Sequence, residues 1–194
     1  CYIDADVVIG DNNKLYNSVT LHQGTKLGNG NEIFPGASIS TKPPDLKYRG
    51  EASLCVVGDN NSIRENVTIS RGTASKGKTV VGSNNLLMEN MHVAHDCVLG
   101  NNIIMSNATQ LAGEVHIEDY AVIGGGSLVH QFVHIGNHIM IQVGTRLGKD
   151  IPPFITVGRE PAVFAGINSI GMRRRGYTNE QIANVQDIYR LVYN

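Results

Sequence analysis

Stepping by six from Ile3 gives Ile9, Leu15, Leu21, Leu27, Ile33 and Ile39; the same phase returns at Val57, Ile63 and Ile69, then runs from Val81 to Leu147. Of the twenty-five positions in this frame, only Asp45, Glu51 and Ser75 are not apolar. Helical side chains repeat about every 3.6 residues and strand side chains every 2, so neither element explains the period. It marks a repeat, and hexapeptide repeats build a parallel β-helix. Three hexads make a triangular coil of about eighteen residues, with coils stacked at roughly the 4.8 Å strand spacing. The predicted fold is therefore all-β, with one aliphatic side chain per hexad pointing into a narrow prism.

Two further positions of the hexad are patterned. The residue two before the core position is often small, as at Val7, Val19, Ala37, Val67, Cys97, Ala121, Ser127 and Val133, which suits a tight corner. Glycine follows the core residue at Gly10, Gly28, Gly58, Gly82, Gly100, Gly124 and Gly136, commonly with Asn or Asp next. Both are expected to take the positive φ of corner turns.

The frame divides the chain. Residues 1–151 form the β-helix, broken by a Pro-rich polar excursion at 40–56 and a second one at 70–80. Excursions from a rigid scaffold are favoured places for function. At Ile151-Pro152-Pro153 the missing proline N–H groups end the ladder. Residues 152–194 read as a polar linker followed by the start of a C-terminal α-helical segment. Thr178 and Gln181 have the spacing of a capping box, and Ile182, Val185, Ile188, Tyr189 and Val192 recur at helical spacing. Because Cys1 is already in phase and Asn194 lies within the helical pattern, both ends of the natural protein are expected to lie beyond this chain.

Composition narrows the partners. A formal net charge of -1 supplies no global basic field for nucleic acid. No apolar run approaches the roughly 20 residues that cross a bilayer, so no transmembrane segment is expected. The three cysteines, Cys1, Cys55 and Cys97, are too few and scattered for a disulfide framework, which points to a reducing compartment, the cytoplasm. Six of the seven histidines fall after residue 90. Short coils offer no internal pocket, so sites are expected between protomers of a closed homo-oligomer, a trimer.

His95, Gly113 and Gln131 are eighteen residues apart and therefore stack, as do His116 and His134. His95 can act as a general base, since histidine as a residue type titrates close enough to neutrality to take a proton from an alcohol. The adjacent Asp96 carboxylate can orient the ring, and the Gly113 N–H can receive a developing oxyanion. A His-Asp dipeptide is also an ordinary surface feature. A zinc site drawn from His92, His95 and His116 or His134 is a third reading; it is disfavoured because His92 and His95 occupy different hexad positions, and no metal or cofactor is expected.

The strings Asp45-Leu46-Lys47-Tyr48, Ile63-Arg64-Glu65, Arg71-Gly72-Thr73, Asn85-Leu86-Leu87-Met88, Ala94-His95-Asp96-Cys97, Leu111-Ala112-Gly113, Val129-His130-Gln131-Phe132, Pro152-Pro153 and Arg174-Arg175-Gly176 carry a resemblance along the whole chain. They resemble the UDP-N-acetylglucosamine 3-O-acyltransferases of lipid A biosynthesis. The resemblance implies a left-handed β-helix, a departure from the right-handed crossover rule. It implies transfer of an R-3-hydroxyacyl group from acyl carrier protein to the 3-hydroxyl of UDP-N-acetylglucosamine. It makes His95 the base, Asp96 its orienting partner and Gly113 the oxyanion donor. It places Asp45, Lys47, His92, His130 and Gln131 around sugar and acyl groups, and Asn168, Arg174 and Arg175 at the nucleotide or its phosphates. Val143 falls where the family limits acyl-chain length. Ser70, Glu114 and Ile170 depart from residues the family often carries. Alternatives are the related N-acyltransferase of the same pathway, a hexapeptide-repeat carbonic anhydrase, and a non-catalytic β-helix scaffold.

Overall fold

A computed structural model describes residues 1–193. The chain winds into a triangular prism with three sheets of eight, seven and nine strands, called faces A, B and C in chain order. Within the coils the pairing is parallel and strand i meets strand i+3, as where His92 and Val93 lie beside Gln110 and Leu111. The repeat fixes this register because one side chain per hexad must reach the interior. Leu21, Ile33, Ile39, Ile63, Ile69, Leu87, Val93, Met105 and Ile123 are all fully buried. Each such residue contributes about 1.5–3 kcal/mol relative to exposure.

At the N-terminal end this pattern weakens. Ile3 and Ile9, in phase with the core, are 47% and 38% exposed.

The corners differ from expectation in their chemistry. Positive φ falls on the third residue after the core position, at Asn12, Asn60, Asn84, Asp96, Asn102 and Tyr120, and not on the glycines that follow the core residue. Those glycines serve close stacking. A Cβ at Gly10 would stand 2.7 Å from the Gly28 carbonyl oxygen, and one at Gly58 would stand 2.8 Å from that of Gly82. The B/C corner also carries a buried asparagine ladder that hydrophobic patterning does not register. Asn13, Asn31, Asn61 and Asn85 each accept, through Oδ1, from the backbone N–H of the next coil at 2.7–3.0 Å. Each thereby satisfies a buried backbone donor.

Past Ile151 the sequence reads as a linker, yet Ile155–Gly158 and Val163–Ile167 form an antiparallel hairpin that extends face C. Ile155 and Val157 are buried, so the sheet continues after the two prolines. Helix α1 (Ser169–Arg174) follows, capped by Asn168. Helix α2 (Asn179–Tyr193) begins with the expected capping box, Thr178 N–H donating to Gln181 Oε1 at 2.8 Å and Gln181 N–H to Thr178 Oγ1 at 3.2 Å. No helix among the described residues is long and apolar enough to cross a membrane.

Cys55 and Cys97 are buried while Cys1 is exposed. Burial pushes both buried thiols up to about 12. Since the thiolate is the nucleophile, Cys1 should alone react with a thiol reagent in native protein at mildly alkaline pH. Denaturation should release the other two, and thiol titration before and after unfolding checks this. Native labelling of Cys97 would show that its coil opens.

Candidate active site

The two excursions leave the prism from the same edge. Residues 42–53 join Ser38–Thr41 on face A to Leu54–Val57 on face B, and residues 71–77 join Thr68–Ser70 to Lys78–Val81. The next coils place His95, then Gly113, then Gln131 on this A/B edge, linked by Glu114 N–H to His95 O at 2.9 Å and Phe132 N–H to Gly113 O at 3.2 Å.

His95 is 8% exposed and Asp96 is fully buried. Asp96 occupies the left-handed corner position, with φ of 61°, and its N–H donates to Thr79 Oγ1 at 2.8 Å. This conformation turns its carboxylate back to His95, where Oδ2 lies 2.9 Å from Nδ1. A carboxylate only accepts, so Nδ1 carries the proton and Nε2 is left as the basic nitrogen. Nε2 sits 4.0 Å from Asp45 Oδ2 on the first excursion. On the adjoining coil Gly113 lies so close that an added Cβ would stand 2.6 Å from His95 Cε1 and 2.7 Å from Nε2. The Gly113 N–H has no hydrogen-bond partner among the described residues.

His92 lies on the outer surface of face A, and its Nδ1 meets Thr68 Oγ1 at 2.7 Å. Burial, then the neighbouring His95 ring, holds the His92 imidazole below the ordinary histidine value. His130 is exposed and Gln131 half-buried on the A/B edge; Lys47 is exposed on the first excursion. Lys47 N–H donates to Asp45 Oδ1 at 2.8 Å, which sets the carboxylate's direction.

The remaining residues singled out from the sequence are elsewhere. Val143 stands 79% exposed on the C/A edge. Asn168, Arg174 and Arg175 line a cavity of about 610 Å³ on face C with Ile104, Val122 and Met140. Asn168 Oδ1 accepts from Gly171 N–H at 3.1 Å and its Nδ2 donates to His138 O at 3.0 Å. Arg175 donates to Tyr120 O at 3.2 Å with its guanidinium 5.2 Å from that ring's centre. Arg174 is exposed. Face C lies opposite the A/B edge, so a single prism keeps this group apart from His95.

His116 and His134 stack as their spacing predicts, with ring centres 4.5 Å apart and planes within 2°. They belong to face B, and Glu118 Oε1 engages His134 Nε2 at 2.9 Å. Among the described residues no group of three or more His, Cys, Asp or Glu is placed to hold a metal ion.

Hexad reasoning missed the residues that secure the edge. Arg71 Nε and Nη2 donate to Tyr48 Oη at 3.2 and 3.0 Å, and Ala74 N–H donates to Glu51 Oε1 at 2.9 Å. These contacts join one excursion to the other, outside the repeat frame. The only available signal was that Tyr48 and Arg71 stand within the strings of the family resemblance.

A prism of hexads with three parallel-stranded faces defines a hexapeptide-repeat β-helix protein, here with a His–Asp pair on one edge. A family model described as Udp N-acetylglucosamine O-acyltransferase, Domain 2, matches residues 150–194. The solved UDP-N-acetylglucosamine acyltransferase of Bacteroides fragilis is 50% identical, with a TM-score of 0.97 over 100% of this chain and 83% of its own. That of Francisella novicida is 41% identical, with a TM-score of 0.97 over 99% of this chain and 71% of its own. The acyl-(acyl-carrier-protein)–UDP-N-acetylglucosamine O-acyltransferase of Stutzerimonas stutzeri is 43% identical over 170 residues, 87% of this chain. This chain spans 66% of the length of that relative and 63% of the one from Gloeothece citriformis. The chain belongs to the UDP-N-acetylglucosamine O-acyltransferase family, and with its solved members it shares the left-handed β-helix.

Proposed function

We propose that this chain transfers an R-3-hydroxyacyl group from acyl carrier protein to the 3-hydroxyl of UDP-N-acetylglucosamine, the first step of lipid A biosynthesis, as a homotrimer in the cytoplasm. The observation that carries the reading is the His95 ring, bonded through Nδ1 to buried Asp96 and presenting Nε2 beside Gly113. His95 Nε2 takes the hydroxyl proton as the sugar oxygen bonds to the thioester carbonyl carbon. The carbonyl electron pair moves onto oxygen, where the Gly113 N–H receives it. When the pair returns, the C–S bond breaks and the carrier's sulfur leaves with the proton held by His95. No covalent enzyme intermediate is required; proximity and proton transfer supply the catalysis.

A threefold assembly is supported by the separation of the two candidate groups. A closed ring of three prisms can bring the A/B edge of one protomer to face C of the next, joining the base to Asn168, Arg174 and Arg175. Asp45, Lys47, His92, His130 and Gln131 then surround the sugar and the start of the acyl chain. Exposed Val143 on the C/A edge faces the same junction and borders the acyl chain.

Purified protein given UDP-N-acetylglucosamine and R-3-hydroxyacyl carrier protein should form an O-acylated sugar nucleotide detectable by mass spectrometry. No product from this pair, or stoichiometric zinc with bicarbonate dehydration, would overturn the reading.

Within the face C group, Asn168 caps α1 and Arg175 is committed to Tyr120, which leaves Arg174 as the cation free to meet a phosphate. Arg174→Ala should raise KM for UDP-N-acetylglucosamine about 10- to 100-fold, the worth of a hydrogen bond to a charged group. It should leave kcat within a few-fold. Steady-state kinetics checks it; an unchanged KM would remove Arg174 from nucleotide binding.

A further inference from the structure

Thr73, in the Arg71-Gly72-Thr73 string of the second excursion, holds the orienting carboxylate. Thr73 is 5% exposed. Its N–H donates to Asp96 Oδ1 at 2.9 Å and Oδ2 at 3.1 Å, and its hydroxyl donates to Oδ2 at 2.6 Å. Lys76 N–H adds a longer bond to Oδ1 at 3.3 Å. The excursion is a single turn closed by Gly77 N–H to Thr73 O at 2.7 Å, so its leading donors converge on the anion. Gly72 allows this approach, because a Cβ there would collide with the backbone of Gly77 and Lys78 across the turn. Glu51 supports the turn from behind by accepting from Ala74 N–H.

Asp96 Oδ2 therefore has two short partners, the Thr73 hydroxyl and His95 Nδ1 at 2.9 Å. With the hydroxyl occupying one lone pair, the other is directed at the imidazole. Without it, Oδ2 keeps only the longer Thr73 N–H bond at 3.1 Å opposite the imidazole, and the carboxylate loses the shortest of the contacts that hold Oδ2 toward the ring. Charge-assisted hydrogen bonds of this length are among the strongest in proteins.

We infer that Thr73 is a positioning residue for the reaction: through its hydroxyl, the second excursion aims Asp96 at His95 and so holds the base in its working orientation. The inference deepens the proposed acyl transfer and rests on it for the role of His95. Asp45 and His92, the other titratable groups facing the ring, are not bonded to Thr73.

The test compares Thr73→Val, which keeps shape and removes the hydroxyl, with Thr73→Ser, which restores the donor. In the T73V protein kcat should fall about 10- to 100-fold, the scale of one lost bond to a charged group, with KM for both substrates within a few-fold of wild type. The T73S protein should recover most of that loss. Independently of turnover, the His95 Nδ1 proton should be resolved by NMR in wild type and T73S, and broadened by exchange with water in T73V. Circular dichroism and thermal unfolding verify that each variant is folded; should T73V unfold, Thr73→Ala takes its place beside T73S. Unaltered kcat and an unaltered Nδ1 proton in the hydroxyl-free variant, or a T73S protein as impaired as T73V, would overturn the inference. Failure of wild-type protein to make product would count against the proposed reaction, while the NMR comparison would still decide the hydroxyl's role.

Discussion

Replacement of His95 by alanine should lower kcat about 10²- to 10⁴-fold, the range by which a positioned general base accelerates proton transfer. The imidazole presents a basic nitrogen at the A/B edge beside Gly113, and its Nδ1 bond to Asp96 sets which nitrogen that is. Removing it leaves the acceptor hydroxyl to lose its proton to water. Folding should be little affected, because the ring lies outside the aliphatic interior and its backbone carbonyl bond to Glu114 N–H does not depend on the side chain. KM for the sugar nucleotide should stay within a few-fold, since the phosphate contacts are assigned to face C. Steady-state kinetics with far-ultraviolet circular dichroism measures both quantities. Wild-type turnover in the folded variant would remove His95 from the base role, and with it the reaction proposed here.

The prism was legible because its driving force is linear in the sequence. One side chain per hexad leaves water, and an error of one residue would place that ladder on the surface. Stacking followed from adding eighteen, which predicts the pairing of His116 with His134 and the alignment of His95, Gly113 and Gln131. The same reasoning misjudged features that depend on what a coil stacks upon. Gly10 or Gly58 is small because the next coil's carbonyl comes so near, and not because its corner needs a positive φ. The hairpin at 155–167 follows two prolines, a local stop signal that the exposed edge of face C overrides by offering unpaired backbone groups.

At the site, His95 and Asp96 could be read because they are sequence neighbours within the repeat. The groups that aim them could not. Thr73 meets Asp96 and Glu51 meets Ala74 across 23 residues in each case, a separation that is no multiple of the hexad since Thr73, Glu51 and Ala74 lie on excursions. The excursions were visible as breaks in phase; where they land depends on tertiary contacts such as Arg71 with Tyr48. Residues of the regular coils are thus predictable in space from their number alone, whereas the catalytic edge is finished by segments whose course the period does not govern.

Gly113→Ala should lower kcat by on the order of 10²-fold, the cost of displacing a reacting group by about 1 Å. Gly113 does not have the positive φ that would strain an alanine, so the backbone accepts the change. The added methyl would instead press on the His95 ring, at 2.6 Å from Cε1 and 2.7 Å from Nε2. Real Cβ atoms essentially never approach a neighbour this closely, so something must shift, and this ring cannot yield without stretching its bond to Asp96 at 2.9 Å. Alanine keeps the backbone N–H, so the variant separates displacement of the base from loss of the oxyanion donor. Because both changes act on one ring, their effects should not add: the H95A/G113A double variant should turn over at close to the rate of H95A alone. Kinetics on the single and double variants completes the cycle. A fully active G113A enzyme would show that the ring has room to move, and a double variant far slower than H95A would mean that the methyl also disturbs the path of the oxyanion.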